Sequence, residues 1–229
     1  MNPRQLAHRF RFAIPILCVS CAMIAPRLLG QGAINFTTRA TTLNPAAVIA
    51  PIFGAEPNDR TRSLHGDRMT VNYTGPLLTG TGYTAQLWAA PVSQGAGALM
   101  PLSTTTMRPP GTLAGFVLPP VSFPTVPGAP GGTQVIFDLR VWDNQNGTIT
   151  SWAMVMADPC VLHGSSGQFT TGVAEFPMSP PNLAGLTSFN LWAVNPTPCP
   201  EPGVIPLAIV GGIVLLTWRR VIRIRRERV

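Results

Sequence analysis

The tightest constraint on this fold is its punctuation. Between residues 31 and 197 the apolar runs are short, alternate with polar residues, and stop at Gly, Pro or Asn. Gly (22) and Pro (25) together make 47 of the 229 residues. Proline lacks the N–H that a helix interior needs, and glycine weakens helix and strand alike, so long regular elements are excluded. Eight segments carry the strand signature: 33–38, 69–73, 83–89, 113–118, 133–142, 148–156, 168–173 and 187–194. None shows sustained helical spacing. The expectation is an all-β fold, a sandwich of about eight short antiparallel strands, with a barrel as the second architecture. The proline-rich stretch 119–132 cannot be a central strand and reads as a connection. Residues 41–65 read as a long irregular loop.

One hairpin is specified to its register. Asn146-Gly147 is a strong two-residue turn signal, because a type I′ turn needs positive φ at both positions. Closure there would pair Val141 with Trp152, Leu139 with Met154 and Phe137 with Met156 on one apolar face. Asp138, Arg140, Ser151 and Ala153 would take the other. Trp152 is then expected in the core and Trp142 on the opposite face.

Charge is confined to the ends. There is no Lys, and the net charge of +7 comes from 16 Arg against nine acids. Residues before Gln31 carry Arg4, Arg9, Arg11 and Arg27 with no acid, and the residues after Cys199 carry six Arg against Glu201 and Glu227. Each end is therefore +4, and the body between, with six Arg and seven acids, is −1. A near-neutral body argues against a nucleic-acid partner.

The basic, apolar, then small-residue order of residues 1–30 is that of a secretory signal peptide. At the other end, residues 204–218 are uncharged and apolar, ending at Trp218. As a helix they would reach about 22 Å, a marginal span of a hydrocarbon core of about 30 Å. The cluster Arg219, Arg220, Arg223, Arg225, Arg226 and Arg228 in the tail 219–229 fits the positive-inside rule, and Trp218 fits the interfacial belt. This points to a transmembrane helix and an inner-membrane anchor.

Immediately before it stand Pro200, Glu201 and Pro202. A Pro-Glu-Pro tripeptide, an apolar helix and a terminal Arg cluster, on a chain that starts with a signal peptide, resemble the PEP-CTERM sorting signal. The resemblance covers 198–229, with Gly203 and Cys199 as departures from the usual residues. In the body, QGAINFTTR, GPLLTGTGYTAQLWAAP and NLAGLTSFNLWAV are similar to segments of exported bacterial PEP-CTERM proteins. The resemblance implies recognition and cleavage near residues 200–202 by an exosortase-type protease. The body would then be released to the cell surface or extracellular matrix. It implies a β-rich body and no particular activity.

Cys18 and Cys21 would leave with the signal peptide, which leaves Cys160 and Cys199 in the body and linker. Two cysteines in an oxidising compartment are expected to form a disulfide. No catalytic constellation, metal site or cofactor motif is recognisable. His163-Gly164-Ser165-Ser166-Gly167 lacks the nucleophile-elbow pattern and reads as a polar loop. His65 and Asp67 are two ligands without a third. Asp143 to Gly147 reads as a turn, since neither its Gly nor a distal Glu matches a calcium loop. Trp88, Trp142, Trp152 and Trp192 support an alternative in which the body is a carbohydrate-binding sandwich with extracellular polysaccharide as partner. The leading expectation is a non-enzymatic component of the cell envelope or matrix.

Overall fold

A computed structural model describes residues 30–195. The expected signal peptide up to residue 29 and the whole sorting signal, including Pro200, Glu201, Pro202, the 204–218 segment and the Arg tail, lie outside the described residues.

The fold is all-β. Its centre is an antiparallel four-stranded sheet in the order β10 (His163–Gly172), β9 (Gln134–Asp143), β6 (Tyr83–Pro91), β7 (Met100–Thr106). Two-residue alternation decides which way each side chain points. Ala85, Leu87 and Ala89 of β6 pair with Val141, Leu139 and Phe137 of β9, and all six are fully buried. They pack with Ile34, Phe36, Ile52, Phe189 and Leu191 in one core. Burying each large apolar side chain contributes about 1.5 to 3 kcal/mol. The even-numbered residues between them, Gln86, Trp88, Asp138 and Arg140, occupy the outer face.

Smaller sheets cover the inner face. β1 (Gln31–Ala33) pairs with β8 (Thr125–Pro130), and β2 (Arg39–Ala40) with β3 (Val48–Ile49). A mixed sheet has β11 (Ser188–Asn190) between a parallel β4 (Ile52–Phe53) and an antiparallel β5 (His65–Gly66).

Several expectations are corrected. The strands at 83–89, 133–142 and 168–173 form, the last beginning earlier, and only part of 33–38 and 187–194 does. Segments 69–73 and 113–118 form no strand: each begins in a turn, and Val117 makes an isolated bridge to Met107. Strand β7 was not expected, because Pro101 breaks its pattern, and it lies at the sheet edge where proline is tolerated. The stretch 119–132 contains β8, an edge strand paired only with β1. Residues 41–65 are largely irregular, as read.

The hairpin at Asn146-Gly147 does not form. Gln145, Asn146 and Gly147 all adopt positive φ (47°, 58° and 89°), and the tight loop is closed by Gly147 and Ile149 N–H groups donating to Asn144 O. The chain then enters a single-turn-and-a-half helix α1 (Trp152–Ala157), with the Ser151 hydroxyl accepting from Met154 N. The alternation at 148–156 satisfied a helix as well as a strand: Trp152 and Val155, three apart, turn inward, while Met154 and Met156 are exposed. Strand β9 pairs instead with β6 and β10. Consequently Trp142 lies on the outer face, as expected, but is buried there under α1, whereas Trp152, expected in the core, is only half-buried on that same side.

Candidate ligand groove

The outer face of the central sheet gathers side chains far apart in sequence. Asp138 and Arg140 stand two apart on β9 and so share this face, where Arg140 Nε donates to Asp138 Oδ2 at 2.8 Å. Ser165, opposite Arg140 on β10, donates its hydroxyl to the other carboxylate oxygen. The Arg140 guanidinium lies 4.0 Å from the Trp88 ring centroid and 5.1 Å from that of Trp152. It is held between two indoles, an arrangement favourable by about 1 kcal/mol or more per contact. Trp88 Nε1 donates to Gln86 Oε1, and Gln86 Nε2 donates to Thr104 Oγ1 across to β7.

The strip continues past Trp152. Its ring meets Trp142 edge-on at 6.0 Å and His163 edge-on at 5.6 Å, and His163 meets Trp192 at 4.8 Å. Backbone pairing fixes the last contact, since His163 and Trp192 exchange N–H to O bonds of 2.9 and 2.8 Å. Gly164 lets these segments approach: a Cβ there would stand 2.4 Å from Asn190 O. His163 Nδ1 is 2.8 Å from Val161 O. A carbonyl only accepts, so Nδ1 carries a proton, and in the neutral ring Nε2 is left as an acceptor.

A groove of about 400 Å³ opens here, walled by Trp152 and Trp192 and lined also by His163, Ser165 and Asp158. Trp88, Trp152 and Trp192 are half-buried, so each keeps aromatic surface in reach of solvent. The reading of 163–167 as a polar loop is corrected: these residues begin β10, and His163, Gly164 and Ser166 are buried. Ser165 is bonded to Asp138 and His163 to Val161, so the two do not form a nucleophile and base pair.

The other sites stand apart. His65 and Asp67 are exposed, and Asp67 accepts from Met69 N in a turn. Asp143 accepts from Gln145 N, within the tight loop. Among the described residues no group of three His, Cys, Asp or Glu could hold a metal ion. Cys160 is the one cysteine among them and is disulfide-bonded, while Cys199 lies outside them.

Sequence reasoning missed a second hollow of about 390 Å³ around Glu56 and Asp59. Burial pushes the Glu56 carboxyl up, but hydrogen bonds from the Thr74 hydroxyl and from the Thr74 and Gly75 N–H groups outweigh it and hold it below the usual range. Asp59 is lowered by the Thr61 hydroxyl and N–H. The Glu56 carboxylate thus ties its loop to residues 74–75, and that of Asp59 holds its own turn.

Comparison with protein-family models, with curated proteins and with solved structures finds no match for this chain.

Proposed function

We propose that the chain is an exported cell-envelope or extracellular-matrix protein with a structural or interaction role, anchored transiently in the inner membrane and processed by an exosortase-type protease. The observation that carries this reading is the ordered combination of Pro200-Glu201-Pro202, the apolar segment 204–218 and the six-Arg tail behind a signal peptide. Two prolines flanking Glu201 disfavour continuation of a helix, and on this reading the tripeptide serves as the handle for a membrane-embedded enzyme. The disulfide at Cys160 supports an oxidising destination, and Cys199 is its proposed partner. The body is read as a non-enzymatic β-sandwich, with the four-stranded sheet facing the smaller sheets across one core. Mass spectrometry of the mature protein tests the sorting. Loss of the residues after the motif, blocked by Glu201→Ala, is the expected result; a C-terminus that keeps the Arg cluster in cells expressing exosortase would overturn it.

A second reading, a carbohydrate-binding module, is favoured by one observation: Trp152 and Trp192 wall an open groove beside polar acceptors. Indole faces stack on the C–H faces of sugar rings, and nearby acceptors take their hydroxyl protons. The two readings are compatible, since a matrix protein can act by holding polysaccharide.

A further inference from the structure

We infer that the Trp152–Trp192 groove takes an electrically neutral pyranose, not the uronic-acid or sulfated residues of anionic polysaccharides; the inference rests on the carbohydrate-binding reading above. Three features of the groove carry it.

The first is the distribution of charge. Asp158 is the charged side chain among the groove-lining residues. Among the described residues, Arg140 stacks on the groove-wall residue Trp152, but it is bonded to Asp138 and also covered by Trp88. Among the described residues no uncommitted cation lines the groove, so an anionic sugar would meet the Asp158 carboxylate, and like charges at short range in a partly desolvated groove repel. The second is polarity of the opposite kind. Asp158 accepts, as does His163 Nε2 in the neutral ring whose Nδ1 donates to Val161 O, and they match hydroxyl groups, which donate. Asp158 Oδ1 already accepts from Cys160 N at 2.9 Å, which orients the carboxylate. The third is shape. A groove of about 400 Å³ with aromatic walls is within the range of small-ligand sites and suits a short run of flat, equatorially substituted rings.

The test uses the full chain in a zwitterionic, sugar-free detergent, titrated calorimetrically with cellohexaose, mannohexaose and xylohexaose, and with hexagalacturonate as the anionic counterpart. The expected result is binding of at least one neutral hexamer about tenfold or more tighter than hexagalacturonate. Trp192→Ala should weaken it at least about tenfold, a loss of about 1.4 kcal/mol, and Trp192→Phe should retain part. Asp158→Asn, which keeps the bond to Cys160 N, should weaken the neutral sugar severalfold and narrow the gap to the anionic one. Equal or tighter binding of hexagalacturonate overturns the inference and leaves the carbohydrate reading intact. No heat from any sugar, with the variants folded by near-ultraviolet circular dichroism, overturns both. Self-association of the chain that is lost in Trp192→Ala assigns the groove to a second copy and also overturns it.

Discussion

Arg140 shows how much one side chain holds together. It joins β9 to β6 through Trp88 and to α1 through Trp152, and it neutralises Asp138, whose side chain is only 6% exposed. Arg140→Ala would leave that carboxylate with the Ser165 hydroxyl alone, and should cost about 2 to 4 kcal/mol in chemical denaturation. Arg140→Lys should recover only part, because an ammonium cannot lie flat between two indoles; full recovery would show that charge alone matters. Tyr73 gives a pH dependence. It stacks on Phe53 at 4.4 Å, and its hydroxyl lies within hydrogen-bond reach of Ser188 O and Gly66 O. Burial, aided by the charges of Asp67 and Glu56, pushes its phenol up from 10.0 to about 12. The folded chain therefore keeps a proton that the unfolded chain has lost. This contribution is whole below pH 10 and is lost as pH rises to about 12. Tyr73→Phe should flatten part of the alkaline fall in stability, and an identical profile in the variant would refute the assignment. The sequence put Asp138 and Arg140 on one face of a strand, but the two indoles over Arg140 could not be read from it, because residues 88, 140 and 152 become neighbours only once the sheet has ordered β6 beside β9.

At the level of elements, the register slip in β10 matters most. Pairing with β9 shifts between Ser165 and Gln168, and Gly167 there has a φ of 70°. The slip takes Leu139 N off the ladder, and the buried Ser166 hydroxyl accepts from it at 3.0 Å. Ser166→Ala should leave a buried N–H without that acceptor and lower stability by about 1 to 3 kcal/mol, read as a shift in denaturation midpoint. An unchanged midpoint would mean that water replaces the hydroxyl. Strands β6 and β9 were legible because nine or ten residues of alternation leave one solution. The 148–156 segment was not. Trp152, Met154 and Met156 fit a period of two while Trp152 and Val155 fit a helical turn, and the choice fell to the Ser151 cap and to the space over Trp142. Two-residue strands such as β2 and β3 carry too few positions to show any period.

Across the whole molecule, the body divides its faces by chemistry: a continuous apolar core on one side of the central sheet, and a strip of indole, imidazole and guanidinium on the other. The all-β class was legible from Gly and Pro punctuation, whereas the strip was not, since it draws on five separate segments of chain. All four tryptophans of residues 30–195 lie on or directly beneath that strip. The light these residues absorb and emit therefore originates almost wholly from one place. Indoles at 6.0 Å couple as transition dipoles and pass excitation to one another, so the near-ultraviolet spectrum and emission of the body are spectra of its groove. Nature has built a fluorescent label into the surface most worth watching, and occupancy of it, by any partner, should be visible without a dye.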